Sequence, residues 1–127
     1  MAIPVQLPDW STKTILIAED LDDNYAVLSA LLKRTNIQLI RAVNGTEALQ
    51  ILNNHPEIRV VLMDISMPDM DGIEALHLIR KEFPTTIVIA QTAHSYSDQI
   101  AAEEFDAYLQ KPIHRLELIN LLGKYLN

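Results

Sequence analysis

Acidic, hydroxyl and basic side chains recur where short apolar runs of this sequence end. They are Glu19 and Asp20 after the first run, Asp64 at the end of another, Thr92 after a third and Lys111 after a fourth. Carboxylates brought close together raise one another's pKa unless a cation neutralises them. Mg²⁺ suits an all-oxygen cluster, and a carboxylate beside it can attack phosphorus and form an aspartyl phosphate. The ammonium and the hydroxyl could then hold the oxygens of the transferred group.

The apolar runs themselves predict five strands. They are Thr14–Ala18, Gln38–Ala42, Val60–Met63, Ile87–Ala90 and Ala107–Leu109. Three of these runs are almost entirely apolar, as expected of strands covered on both faces. Apolar residues spaced three and four apart predict helices between and after the strands, and the segment 96–104 has the weakest such pattern. The repeated order of strand and helix predicts an α/β fold, a five-stranded parallel sheet with helices on both faces, because parallel strands need right-handed helical crossovers.

A sheet of this kind binds ligands beyond the carboxyl ends of its strands, where the strand order reverses. The reactive side chains all fall at these strand ends. If the first strand lies beside the third, Glu19, Asp20 and Asp64 come together. We adopt the flavodoxin-like (βα)5 strand order by analogy with other five-stranded sheets of this class.

Length and composition indicate one domain. The chain has 127 residues, of which 49% are hydrophobic, so it has enough apolar material for one core. We expect residues 1–13 to form an N-terminal arm, with Trp10 as a packing anchor, and residues 14–127 to form the domain. The absence of cysteine excludes disulfides and thiolate zinc sites.

Charge and hydropathy indicate the kind of partner. The formal net charge of −7 argues against direct nucleic-acid binding and favours a metal cation or a protein with a basic patch. No apolar stretch approaches the ~20 residues that span a bilayer, and the N-terminus does not resemble a signal peptide. We therefore expect a cytoplasmic protein without membrane insertion.

Four ordered motifs carry a resemblance to a known family. They are TILIAED at 14–20, LMDISMPDMDG at 62–72, IAQTA at 89–93 and DAYLQKP at 106–112. Together they resemble the receiver domains of two-component response regulators, over about residues 13–126. Asn24 and the residues of the IAQTA motif are most similar to those at the same places in receivers of hybrid histidine kinases.

The resemblance implies a role for each site residue. Asp64 would be the phosphoacceptor. Mg²⁺ would be bound by Asp20, Asp64 and the backbone carbonyl of Ser66, with Glu19 acting through water. Thr92 and Tyr108 would form the conformational switch, and Lys111 would pair with the phosphate. A cis peptide bond before Pro112 is also implied. The partner would be a histidine kinase or a histidine phosphotransfer protein, and the downstream partner stays unidentified.

Other functions remain to be compared with this one. An aspartyl-phosphate hydrolase of the haloacid dehalogenase kind would need an aspartate at position 66, where this chain has Ser66, and a cap for which the chain is too short. A phosphate-binding nucleotide fold would need a GxxxxGK loop, which is missing. A phosphorylation-independent pseudo-receiver would typically lack one of the acidic residues or the lysine. A phosphorelay shuttle and the excised receiver of a hybrid kinase both stay open.

Overall fold

The computed structural model describes residues 6–65, 67, 70–93 and 105–127. Its strands are β1 (Thr14–Ala18), β2 (Gln38–Ala42), β3 (Val60–Asp64), β4 (Ile87–Thr92) and β5 (Ala107–Gln110). Its α-helices, within those residues, are α1 (Asp22–Leu32), α2 (Gly45–Asn54), α3 (Gly72–Glu82) and α4 (Arg115–Leu126), and a 3₁₀ turn at Lys33–Thr35 follows α1. The helix predicted at 96–104 and the carbonyl of Ser66 lie outside the described residues.

The strands form one parallel sheet in the order β2-β1-β3-β4-β5. This order confirms the predicted α/β architecture and its flavodoxin-like topology. The chain turns to one side of β1 to form β2 and then crosses to the other side to form β3. Because β1 pairs directly with β3, with Ala18 opposite Met63, the segments that follow these two strands leave the sheet side by side.

Three strands extend beyond their predicted ends, toward the polar residues. The sequence predicts that β4 ends at Ala90 and that Thr92 follows it, whereas Thr92 is the last residue of the strand. Asp64 pairs with Gln91 and Thr92 pairs with Gln110, so the backbone ladder continues where the apolar pattern stops. Backbone pairing does not depend on side-chain polarity. Polar residues are tolerated there because they lie at the edge where the site forms, beyond the centre of the core.

Each face of the sheet carries its own apolar layer. One layer lies under α2 and α3 and the other under α1 and α4. Every residue of β3 is buried, as are the last four residues of β1. Burial on both faces explains why these strands are continuously apolar, and each fully buried leucine or isoleucine contributes roughly 1.5–3 kcal/mol.

Trp10 belongs to the layer formed with α1 and α4. Its side chain is 2% exposed. The indole Nε1 donates a hydrogen bond of 2.8 Å to Oδ1 of Asn127, and the backbone N–H donates one of 2.7 Å to the carbonyl of Thr35. Trp10 thus anchors the described part of the arm, from residue 6 onward, to the 3₁₀ turn after α1 and to the end of α4. The boundary between residues 13 and 14 stays a prediction.

None of the helices within the described residues is long and apolar enough to cross a membrane.

Candidate functional site

The segment after β1 carries two of the predicted acidic residues. The backbone N–H of Glu19 donates a 2.9 Å hydrogen bond to the carbonyl of Ala42, so this residue continues the pairing of β1 with β2. The Glu19 side chain is completely buried, while Asp20 is partly exposed. The chain then enters α1, whose first turn contains Asp22 and Asp23.

The predicted carboxylates meet at the carboxyl ends of β1 and β3. Glu19, Asp20 and Asp64 each offer a carboxylate oxygen, and these three oxygens lie within 4.8 Å of one another. Asp64 is 6% exposed, and Oε2 of Glu19 is buried without a hydrogen-bond partner among the described residues. A cluster of hard anionic oxygens with an unsatisfied buried member fits Mg²⁺, which prefers oxygen ligands. The residues therefore fit the predicted cation.

Lys111, the first residue after β5, reaches this cluster. Its Nζ lies 3.4 Å from Oε1 of Glu19 and 3.4 Å from Oδ2 of Asp64. The backbone N–H of Lys111 donates a 2.7 Å hydrogen bond to the carbonyl of Thr92, which fixes where the lysine leaves the sheet. The Lys111–Pro112 peptide bond is cis, as the resemblance implied. The ammonium thus lies between two of the clustered carboxylates.

The electrostatics of the cluster act most strongly on Glu19. Burial raises the pKa of the Glu19 carboxyl, and a hydrogen bond with Asp64 and the negative charge of Asp64 raise it further, to about 7. The Lys111 ammonium opposes this increase in the Glu19 pKa. Burial and a neighbouring like charge both disfavour the ionised form. The cluster therefore holds more negative charge than the protein alone can neutralise.

Thr92 and Tyr108 lie on the same face of the sheet. Thr92 ends β4 and is 7% exposed. On β5, Tyr108 lies opposite Ala90, packs against the layer under α2 and α3, and makes an edge-to-face contact with Phe105 at 5.7 Å between ring centroids. Because side chains alternate along a strand, residues 90 and 92 point to the face that Tyr108 also occupies.

Gly72 has a role in the site that the sequence analysis does not identify. The Asp71-Gly72 pair indicates a turn, but it carries no sign of which atoms lie against it. The backbone N–H of Gly72 donates a 2.8 Å hydrogen bond to the carbonyl of Ile65. A Cβ atom at position 72 would lie 2.5 Å from the carbonyl oxygen of Asp64 and 2.7 Å from Cα of Ile65. The start of α3 therefore packs directly against the backbone that carries Asp64, and a side chain would displace it.

A comparison with known protein families shows which family the chain resembles. The model of the response regulator receiver domain matches residues 15–123. This chain belongs to the response regulator receiver family. The match covers the five strands except Thr14, and the positions of the acidic cluster and of Lys111 lie within it.

Relatives of this receiver domain include hybrid sensor proteins. The chain is 36% identical over 117 residues to the hybrid signal transduction protein dokA of Dictyostelium discoideum, covering 90% of this chain and 7% of dokA. It is 34% identical over 128 residues to the histidine-protein kinase BarA of Escherichia coli, covering 97% of this chain and 14% of BarA. The receiver thus spans only a small part of the length of these relatives.

Solved receiver structures share the fold. The receiver domain of a sensor histidine kinase from Pseudomonas aeruginosa, with magnesium coordinated in its active site cleft, matches with a TM-score of 0.82 at 26% identity, covering 90% of this chain and 97% of that one. The complex of the Saccharomyces cerevisiae phosphotransfer protein Ypd1 with the receiver domain of Ssk1 gives a TM-score of 0.82 at 25% identity, covering 96% and 92%. This receiver therefore has the architecture of domains known with a magnesium ion and with a phosphotransfer partner.

Proposed function

We propose that this receiver accepts a phosphoryl group on Asp64 in a Mg²⁺-dependent reaction and thereby changes its contacts with other proteins. The donor is the phosphohistidine of a histidine kinase or of a histidine phosphotransfer protein. The observation that carries the proposal is the cluster itself. Three carboxylate oxygens lie within 4.8 Å of one another, and the Lys111 ammonium lies 3.4 Å from both Glu19 and Asp64.

Each member of the acidic cluster has a part in holding the metal. Asp20 and Asp64 would bind Mg²⁺ directly, Glu19 would hold one of its waters, and the carbonyl of Ser66 would complete the protein ligands. The ion supplies positive charge that neutralises the carboxylates and the incoming phosphoryl oxygens. The buried, partnerless Oε2 of Glu19 supports this assignment, because an unpaired buried acceptor is costly.

The chemical step needs a nucleophile and stabilisation of charge. A carboxylate oxygen of Asp64 forms the new O–P bond while the N–P bond of the phosphohistidine breaks. The electron pair of that bond stays on the imidazole nitrogen. Lys111 attracts the negative charge on the equatorial phosphoryl oxygens, and the Thr92 hydroxyl donates a hydrogen bond to one of them. Catalysis of this kind is mostly positioning and charge neutralisation.

The signal leaves the site through Thr92 and Tyr108. Once Thr92 moves toward the phosphate, it frees space on the sheet face that Tyr108 shares, and the tyrosine turns inward. The phosphate shifts this equilibrium only by its different interaction energy with the two arrangements. The surface around β5 then changes for a downstream protein.

The relatives support the choice of partner. One is the complex of a histidine phosphotransfer protein with a receiver domain, and another is a histidine-protein kinase. We therefore favour phosphotransfer from histidine, either as a relay shuttle or as the receiver part of a hybrid kinase. Direct nucleic-acid binding is disfavoured by the net charge of −7.

Phosphorylation with acetyl phosphate, with and without Mg²⁺, tests the proposal. Intact mass should show one added phosphoryl group that is lost in base, and Asp64→Asn should abolish it. The matched control is Asp71→Asn, whose side chain caps α3 through a 2.8 Å bond from the Glu74 N–H, because asparagine caps as well as aspartate.

Three results would contradict the proposal. Full labelling of Asp64→Asn would place the phosphoryl group elsewhere. No labelling of the wild type by acetyl phosphate or by a phosphorylated transfer protein would indicate a pseudo-receiver. Steady release of phosphate without a phosphorylated protein would indicate a hydrolase.

A further inference from the structure

We propose that Arg41 is a positioning residue for the Mg²⁺ site, one that fixes the backbone around Asp20. The inference rests on the proposed function, because it concerns the same cation site. Arg41 lies on β2, one strand away from the acidic cluster, where it pairs with Ile17 of β1.

The guanidinium of Arg41 contacts the segment after β1 at two points. Its Nε donates a 3.0 Å hydrogen bond to the backbone carbonyl of Glu19, and its Nη1 donates one of 2.7 Å to Oδ1 of Asp22. The planar group also lies over the ring of Tyr25, 5.0 Å from its centroid. These contacts hold the arginine fork in one orientation, with 22% of its side chain exposed.

Asp20 lies between the two points that Arg41 holds. Glu19, the residue before it, is held by β2 through two hydrogen bonds. Its N–H donates to the carbonyl of Ala42 at 2.9 Å, and its carbonyl accepts from Nε of Arg41 at 3.0 Å. Two positions later, the exposed carboxylate of Asp22 accepts a hydrogen bond of 2.7 Å from Nη1 of Arg41. The N-cap position of α1 is Leu21, whose side chain cannot cap a helix. The chain around Asp20 is therefore held from β2 by Arg41 and not by a side-chain cap of α1.

Simple electrostatics predicts the opposite effect of Arg41 on the metal. A cationic side chain near a cation site disfavours metal binding, so a purely electrostatic residue would weaken the site and its removal would strengthen it. A residue that holds the ligand-bearing backbone in place strengthens the site, and its loss typically weakens metal affinity ten- to a hundredfold. The sign of the change in Mg²⁺ affinity distinguishes the two roles.

The test compares Mg²⁺ binding to wild type, Arg41→Gln and Arg41→Lys by calorimetry. We expect both variants to bind Mg²⁺ about tenfold more weakly, because neither glutamine nor lysine reproduces the planar fork. A second measurement needs no metal: the backbone amides of residues 19–23 should exchange hydrogen faster in both metal-free variants than in wild type.

Arg80→Gln is the matched control. Arg80 also joins a backbone carbonyl to a carboxylate, in another part of the fold. Its Nη1 donates a 2.9 Å hydrogen bond to the carbonyl of Thr86, and its Nη2 lies 2.7 Å from Oδ2 of Asp106. Its loss should lower the free energy of unfolding while leaving Mg²⁺ affinity unchanged. Equal loss of Mg²⁺ affinity in Arg80→Gln would show a general effect of destabilisation and would overturn the positioning role.

The remaining outcomes are also decisive. Tighter Mg²⁺ binding by Arg41→Gln with unchanged binding by Arg41→Lys would make Arg41 a charge only, and unchanged binding by both would make it structural only. If the variants do not fold, Asp22→Ala, which removes one of the two contacts, should still make the amides of residues 19–23 exchange faster in the metal-free protein, and unchanged exchange would overturn the anchoring. Failure of the wild type itself to bind Mg²⁺ would refute the proposed function, and the amide exchange would then test the anchoring by Arg41 alone.

Discussion

Replacing Glu19 by glutamine should change how the stability of the metal-free protein depends on pH. The Glu19 side chain is fully buried, and its pKa is raised from 4.5 to about 7 by burial and by Asp64. Glutamine has the same shape but no charge. The variant therefore removes the ionisation and keeps the packing.

The sign and size of the effect follow from the Glu19 pKa. Between about pH 4.5 and pH 7 the native protein keeps a proton on Glu19 that the unfolded chain releases. The free energy of unfolding therefore falls as the pH rises through this window, and the stabilisation is complete only below the unfolded-state pKa. Each unit of difference is worth about 1.4 kcal/mol, so the loss is on the order of 3 kcal/mol.

Urea unfolding in EDTA at several pH values between 4.5 and 8 measures this directly. The difference in free energy of unfolding between Glu19→Gln and wild type should grow in favour of the variant by about 3 kcal/mol across the window. Added Mg²⁺ should recover most of the wild-type loss, since a bound cation favours the ionised carboxylate, and should stabilise Glu19→Gln less.

The comparison between variants isolates Glu19 from the other titrating groups. The control is Glu82→Gln at the exposed end of α3, and the change with pH of its difference from wild type is subtracted from that of Glu19→Gln. A corrected difference that stays constant with pH would show that the Glu19 carboxyl is ionised normally in the native state. The account of the acidic cluster as short of positive charge would then be wrong.

Substitutions at Lys111, Gly72 and Trp10 test the site and its support. Lys111→Ala should bind Mg²⁺ at least as tightly as wild type, because it removes a positive charge 3.4 Å from Glu19 and Asp64, while phosphorylation of Asp64 by acetyl phosphate should slow about a hundredfold, because lysine binds the phosphoryl oxygens and not the metal. Lys111→Arg should recover little of this rate, and wild-type rates in both variants would make Lys111 a surface residue. Gly72→Ala should lower the free energy of unfolding by about 1–3 kcal/mol, since its Cβ would meet backbone atoms, whereas Gly45→Ala would meet only a methionine side chain and should cost less. Urea unfolding that shows equal losses of unfolding free energy for Gly72→Ala and Gly45→Ala would refute that reasoning. Trp10→Ala should cost about 3 kcal/mol by the same measurement and Trp10→Phe about 1 kcal/mol, and a negligible cost for both would show that the arm does not stabilise the domain.

Buried strands were the most predictable part of this fold. The bounds of β1 and β2 agree with the sequence pattern, and the apolar residues of β3 predict its burial on both faces. The pattern fails where the backbone ladder continues into polar residues such as Gln91 and Thr92. Side-chain hydropathy reports burial, and it cannot report hydrogen bonding between strands.

The residues of the site also include some that the sequence predicts and one that it does not. Glu19, Asp20, Asp64 and Lys111 are predictable because the strand ends of a parallel sheet meet at one edge. Arg41 is not, because its contacts with the Glu19 carbonyl and Asp22 join residues about 20 positions apart and no local pattern marks either partner.

The hydrogen bond between Trp10 and Asn127 has a consequence for the outer surface of the domain. It joins the arm to the residue that follows α4, with 2.8 Å between the two atoms. The described residues before Trp10 continue along the same helix, where residues 6–8 line a surface groove with Leu116 and Ile119. The arm therefore covers part of α4, and a protein that docks on this side of the domain would contact the arm as well as the helix.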